Sequence, residues 1–313
     1  MSNQITPKLI IHGGAGSSLK GKGGLEAVRQ SLHQIVDEVY RALLVGKSAN
    51  EAVILGCQRL EDEPRFNAGT GSVLQSDGQI RMSASLMDGE KQRFSGVINV
   101  SRVKNPINLA KTLQEEEDRV LSDLGSTELL RELNIPIYDP LTDLRLQEWM
   151  EERKDNFSRK MAGVVAEGDG GARRGTIGVV ALDQQGRISA GTSTGGKGLE
   201  RIGRVSDSAM PAGNYANSTA GVSCTGIGED IIDECLAAKV VIRATDGLSL
   251  RDAMVKSMTE AKENQRDLGA IALSSDGEIV WGKTSEILLC AYHNGTKIDD
   301  SLEWNDGSLV DNR

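Results

Sequence analysis

Histidine is scarce in this sequence: three residues in 313, none of them paired at a metal-ligand spacing. A His-based zinc centre or a Ser-His-Asp triad therefore has little material. Long apolar runs are missing too, and none approaches the roughly 18 residues that a membrane helix needs. The four cysteines, Cys57, Cys224, Cys235 and Cys290, show neither a CxxC pair nor a Cys/His zinc spacing. Such usage predicts a reduced, cytoplasmic protein. The opening MSNQITPKLIIHGGAG lacks the charged start, apolar stretch and cleavage site of a signal peptide, which carries the same expectation. Basic charge is in deficit, 36 Lys and Arg against 45 Asp and Glu, for a net −9. That sign argues against nucleic acid or an anionic membrane as the main partner.

Proline is rare at six residues, whereas the 36 glycines make up a ninth of the chain, against about 7% expected. Without a repeating triplet, the surplus points to tight turns and to backbone packed close to ligands. A hydrophobic fraction of 38% with 26% charged residues is ordinary for a globular protein, and the length admits one large or two ordinary domains.

Leu9-Ile10-Ile11 reads as a buried strand running into a Gly-rich turn, His12 to Gly16. Leu25, Val28, Leu32, Ile35, Val36, Val39 and Leu43 recur at helical spacing and predict an amphipathic helix ending near Gly46. Ser48 with Glu51 is a capping box that opens a second helix, and Pro106 starts another, with acidic residues 115–118 at its solvated end. Segments 73–80, 180–188 and 271–279 share an apolar–polar turn–apolar pattern with Gly closing each turn, so each reads as a hairpin. Helical segments resume after Gly228 and after Ser249, whose partner Asp252 makes a cap. Helices precede strands in each half, so the expectation is α+β with antiparallel sheet and helices outside it.

Residues 151–175 are charged, Gly-rich and almost free of large apolar side chains, the composition of a flexible linker. Yet they feed straight into Thr176-Ile177-Gly178-Val179-Val180-Ala181-Leu182, which is too apolar to be a domain edge. Two familiar patterns lie nearby. Gly191-Thr192-Ser193-Thr194-Gly195 matches G-x-S-x-G, with an oxyanion-like loop at His12–Gly16 and Asp207 and His293 following in order. That makes a serine esterase using Ser193 a rival, although Gly196-Lys197-Gly198 is no helix start. Read as a phosphate loop, the same stretch has Gly198 where a Ser or Thr should hold magnesium. His33, on an amphipathic helix, reads as structural. What remains needs no histidine. If the Gly175–Thr176 bond were cut, Thr176 would carry a hydroxyl and a free α-amine, whose pKa of roughly 7.7–8 leaves a useful unprotonated fraction near neutrality. Base and nucleophile then belong to one residue, and Gly175 suits the strained geometry of a scissile bond.

Taken jointly, LIIHGGAG (9–16), RFNAGTGSVLQSDG (65–78), MDG (87–89), GTIGVVALD (175–183), TSTGG (192–196), GRVSDS (203–208) and SCTGIGE (223–229) closely resemble the isoaspartyl peptidase/L-asparaginase family. These are the plant-type asparaginases among the N-terminal-nucleophile hydrolases. Only about 90–172 is weakly matched. The resemblance implies a four-layer αββα sandwich, one catalytic domain over 1–313 that cuts itself after Gly175. The products are an α chain 1–175, ending in the flexible segment 151–175, and a β chain 176–313, working as a homodimer of αβ units. The implied reaction is hydrolysis of β-aspartyl dipeptides and L-asparagine through a β-aspartyl–enzyme ester.

By the same resemblance Thr176 is the nucleophile, Thr194 hydrogen-bonds it, and Thr225 with Gly226 forms the oxyanion hole. Asn67 supports the nucleophile or its water. Arg204 offers a fork for the substrate α-carboxylate and Asp207 an acceptor for its ammonium. Val205, Ser206, Ile227 and Gly228 complete the pocket, with Gly226 and Gly228 preceding a helix whose N–H groups favour an anion. A structural sodium is implied on the backbone carbonyls of Leu60, Glu61, Glu63, Phe66, Ala68 and Thr70, with no cofactor for catalysis. One departure stands out: the family has glycine in G-R-V-G-D-S where this chain has Ser206, which bears on substrate range rather than on the reaction. A glycosylasparaginase of the same fold is the nearest rival; it acts on secreted or lysosomal glycopeptides, and the lack of a signal peptide argues against it. A catalytically inactive scaffold that binds amino acids is another, opposed by Thr176, Thr194 and Thr225.

Overall fold

In the first strand and its neighbour, Leu9, Ile11, Val179 and Ala181 join one apolar cluster while Ile10, Val180 and Leu182 join another. This is the period-two alternation of strands buried on both faces. The computed structural model describes residues 5–16, 23–154, 175–303 and 309–312. In chain order the elements are β1 (Lys8–Gly16), α1 (Leu25–Leu44), α2 (Ala49–Asp62), β2 (Met82–Asp88), β3 (Arg93–Val100), α3 (Ile107–Leu113), β4 (Val120–Ser122), α4 (Asp123–Glu132) and α5 (Asp143–Lys154). They continue as β5 (Ile177–Leu182), β6 (Ile188–Thr194), β7 (Asn214–Ala216), β8 (Ala220–Gly226), α6 (Gly228–Glu234), α7 (Leu236–Thr245), α8 (Leu250–Glu263), β9 (Leu268–Ser274), β10 (Ile279–Lys283), β11 (Ile287–His293), β12 (Ile298–Asp300) and β13 (Val310–Asn312).

The fold is mixed α and β. One sheet runs β12-β11-β1-β5-β6-β2-β3-β4 and a second runs β13-β10-β9-β8-β7. Pairing is antiparallel except where β4 joins β3 in parallel. Three apolar clusters follow from the alternation. Leu9, Ile11 and Val179 pack with Val36, Val39, Val53 and Cys57 of α1 and α2. Ile10, Val180 and Leu182 meet Ile271, Leu273 and Trp281 of the second sheet. Val222, Cys224, Ala270 and Ala272 face Val240, Val241, Met254 and Met258 of α7 and α8. Each fully buried Leu, Ile or Val contributes about 1.5–3 kcal/mol, so the two sheets and their helices are held mainly by these contacts.

The predicted helix ends before Gly46, and the Ser48–Glu51 capping box is present with both of its hydrogen bonds. Two of the three hairpins form, β5–β6 and β9–β10. The third, 73–80, does not. It keeps its tight turn, with Gln75 N–H bonded to Gln79 O, but Leu74 O accepts from Leu199 N–H and Ser76 N–H donates to Glu200 O. Its flanks pair with a distant loop instead of with each other. The His12–Gly16 segment is not a turn but the end of β1, which absorbs its glycines as an irregularity between His12 and Ala15. The helix read as continuous after Gly228 breaks at Cys235, whose φ of 47° is left-handed. Glu151–Lys154, expected in the linker, form the last turn of α5, and 155–174 lie outside the described residues. Among the described residues no helix is long and apolar enough to cross a membrane.

Candidate active site

The β5–β6 register pairs Ile177 with Ser193, so one step earlier Thr176 stands opposite Thr194. Their hydroxyl oxygens lie 3.0 Å apart. Thr194 is buried, its Oγ1 accepts from Gly196 N–H at 3.2 Å, and either hydroxyl of the Thr176–Thr194 pair can donate to the other. Asn67 works mainly on backbone. Its N–H donates to Gly175 O and its carbonyl accepts from Gly195 N–H, both at 2.9 Å. Its Nδ2 donates to Gly196 O at 2.6 Å, and its Oδ1 accepts from Val73 N–H at 2.9 Å. Asn67 thus reaches Thr176 through the chain on either side of it, gripping Gly175 and the loop after Thr194.

Thr225, near the end of β8, accepts from Ala15 N–H at 3.0 Å and keeps a hydroxyl proton of its own. Gly226 follows with φ 131°. Beneath these hydroxyls lies a network that the sequence reading did not single out. His12 Nε2 is 2.9 Å from Ser223 Oγ, which is 2.6 Å from Thr192 Oγ1. A Cβ at residue 178 would collide with both His12 and Ser223, so the network needs Gly178 on β5. Burial pushes the His12 imidazole down to about 3, against a hydrogen bond with the Thr176 backbone, so the ring is neutral. The signal was present, since His12, Thr192 and Ser223 all fall inside the quoted motifs.

Arg204 and Asp207 converge on the first residue of α6, where a Cβ at 228 would collide with the Arg204 guanidinium and crowd Asp207 Oδ1. Any side chain there would have to push the Arg204 guanidinium aside. Arg204 makes a bidentate pair with Glu229, Nε to Oε1 at 2.9 Å and Nη2 to Oε2 at 3.1 Å. Burial raises the Glu229 carboxyl, but the Arg204 fork outweighs it and holds the group down to about 2. Glu229 was missed from sequence although it ends the SCTGIGE motif; it occupies the Arg204 fork. Glu200, in no motif, is also buried, and burial raises its carboxyl against the pull of its own N–H and of Arg204. Burial pushes Asp207 up to about 6, opposed by Arg204 and Ser206. Val205 is exposed, and Ile227 N–H is spent on Asp267 O at 2.9 Å.

Leu60 and Glu61 are in the last turn of α2, and the chain folds back so that Thr70 N–H donates to Glu61 O at 2.8 Å. A Cβ at Gly69 would fill the space in front of that carbonyl. Neutral carbonyls with a second lone pair suit a hard monovalent cation. The Glu61 carboxyl does not join them: its Oε1 accepts from Ile107 N–H, and burial pushes it up to about 8. Ser193, the rival nucleophile, is fully buried within β6, and no helix follows it. An esterase elbow is absent from this position.

The Thr176–Thr194 hydroxyl pair, the backbone grip of Asn67 beside it, and the convergence of Arg204 and Asp207 on Gly228 together outline an amidohydrolase site. The chain belongs to the asparaginase family, whose sequence pattern matches residues 5–303. It is 70% identical to an isoaspartyl peptidase/L-asparaginase of a Nostoc species, covering 99% of both chains. A Synechocystis protein of the same name is 68% identical over 98% of this chain and 94% of its own. The human isoaspartyl peptidase/L-asparaginase is 32% identical over 98% and 99%.

Proposed function

We propose that this chain is a self-processing hydrolase of β-aspartyl (isoaspartyl) dipeptides and L-asparagine. The observation that carries the reading is the 3.0 Å contact between Thr176 and Thr194 hydroxyls, next to a Gly175 carbonyl gripped by Asn67 N–H. In processing, Thr176 Oγ1 attacks the Gly175 carbonyl carbon, the C–N bond breaks, and the hydroxyl proton passes to the amine released. Water then hydrolyses the resulting ester, leaving chains 1–175 and 176–313 of one catalytic domain. In turnover the same oxygen attacks the substrate side-chain carbonyl, and the new α-amine carries the proton to the leaving amine. Thr225 Oγ1 and Gly226 N–H meet the developing oxyanion, and water releases aspartate from the ester. Arg204 receives the α-carboxylate by displacing or sharing Glu229, and Asp207 receives the α-ammonium, with Val205, Ser206, Ile227 and Gly228 around them.

The reading extends to architecture and surroundings. The intersheet cluster and the two helix-facing clusters support a four-layer αββα sandwich of the N-terminal-nucleophile type. A sodium ion would sit on the carbonyls of Leu60, Glu61, Glu63, Phe66, Ala68 and Thr70, stiffening the loop that carries Asn67. We take the working form to be a homodimer of αβ units in the cytoplasm, where the four free cysteines stay reduced.

Intact-mass measurement of purified wild type tests the core of this. Two fragments are expected, the second beginning Thr-Ile-Gly-Val, together with release of aspartate from β-Asp-Leu. Thr176→Ala should remain one chain with no turnover; a Thr176→Ala protein that still separates into two would refute self-processing through this hydroxyl.

A further inference from the structure

Building on the reading of Asp207 as the acceptor of the substrate ammonium, we propose that Ser206 is a positioning residue whose hydroxyl orients the Asp207 carboxylate. Ser206 is buried, 5% exposed, and extended at φ −83°, ψ 152°, at the head of the 3-10 turn Asp207–Ala209. Its oxygen accepts from Ser208 N–H at 3.3 Å, so the side chain is folded back on its own turn rather than projecting across the pocket. Two oxygens compete for its proton: Asp207 Oδ1 at 3.1 Å and Ser208 Oγ at 3.3 Å. The carboxylate is the nearer and stronger acceptor, so the proton goes to Asp207. That contact fixes Oδ1 on the side facing Gly228 and Arg204, while Oδ2 is buried with no hydrogen-bond partner among the described residues. The carboxylate is left one donor short, which is what a bound ammonium supplies.

The groups facing Asp207 are Arg204 from the preceding loop, Glu229 from α6 and the buried thiol of Cys224 from β8. Arg204, the Ser206 hydroxyl and the backbone N–H of Asp207 favour the charged carboxylate, against burial and Glu229. Losing the hydroxyl therefore moves Asp207 further up, and the pH at which it can hold an ammonium rises with it. A glycine at this position would supply no such donor.

The test uses the full-length, self-processed enzyme hydrolysing L-asparagine from about pH 4.5 to 8, with Ser206→Ala, Ser206→Thr and wild type compared. A hydrogen bond to a charged group is worth enough to shift binding about tenfold. Ser206→Ala should raise KM about tenfold near pH 6, leave kcat within about twofold, and move the acid limb of kcat/KM up by about one pH unit. Ser206→Thr, which keeps the hydroxyl, should restore both. An unchanged KM and acid limb in Ser206→Ala, or equal impairment in Ala and Thr, overturns the proposal. Should Ser206→Ala fail to process, Ser206→Gly is measured in its place with the same expected outcome. Wild type assayed on succinamate, which is asparagine without its α-amine, separates the two readings. Equal hydrolysis of both substrates would sink Asp207 as the ammonium site, whereas strong discrimination with silent Ser206 variants sinks only the role of Ser206.

Discussion

The two sides of the pocket are built from different chemistry. Around Thr176 the hydrogen-bonded groups are neutral: Thr194, Thr225, Ser223, Thr192 and an imidazole held uncharged by burial. Around Gly228 they are charged: Arg204, Asp207 and Glu229, with Glu200 and Lys197 close by. Among the described residues, the hydrogen-bonded groups of the neutral side carry no charge near pH 7, and processing would add an amine to them. The charged side holds the groups that a pH change or a salt would disturb. Under the proposed function the first side would govern rate and the second affinity, with its pH dependence.

The largest effect that sharpens this division is expected from Thr225→Ala. Losing one oxyanion donor should lower kcat about 10²–10³-fold with KM nearly constant, measured on the processed enzyme with L-asparagine. A comparable rise in KM instead would mean that Thr225 holds the ground state. Next comes Arg204→Lys, which keeps the charge but loses the fork. KM should rise about 10–100-fold with kcat within a few-fold, and a collapse of kcat would break the division outright. The third is a pH profile. Protonation of the new α-amine should lower kcat and kcat/KM alike below about pH 8. Asp207, however, must be ionised to hold the ammonium, so below about pH 6 kcat/KM should fall a further tenfold per unit that kcat at saturating substrate does not share. Limbs that stay parallel in both parameters below about pH 6 would place the titrating group on the nucleophile side.

Each side was only partly legible in the sequence: Arg204 and Asp207 were named as readily as Thr176, while His12, Thr192 and Ser223 on the neutral side and Glu229 and Glu200 on the charged one were not. Thr176, Thr194, Thr225 and Asn67 lie in compact motifs that resemble those of the family, and strand register brings Thr176 and Thr194 together. Charged pairs form between side chains that are distant along the chain or hidden in loops. Glu229 was invisible as Arg204's partner because 25 residues separate them, and Glu200 because its loop has no period. The fold shows the same split. Hairpins whose strands have their own apolar faces were read correctly, whereas 73–80 shares the pattern but spends its hydrogen bonds on residues 199–200 and on Trp149 of α5. Cys235, with its left-handed φ, ends a helix where no glycine or proline announces it.

The smallest effect concerns the network under the hydroxyls. Ser223→Ala removes the one group that bridges His12 and Thr192, leaving a buried imidazole nitrogen without its partner. The expected cost is about 1–3 kcal/mol of stability, read as a lowered thermal midpoint, with kcat reduced only a few-fold because Thr176 keeps its bond to Thr194. Acid should expose the same site in wild type. His12 holds off its proton until about pH 3 when folded but takes it near 6.5 when unfolded, so its contribution is complete above 6.5 and is lost as pH falls toward 3. If Ser223→Ala raised KM and spared both kcat and the melting temperature, the network would belong to substrate recognition, and the boundary between the neutral and charged sides would have to move across Gly178.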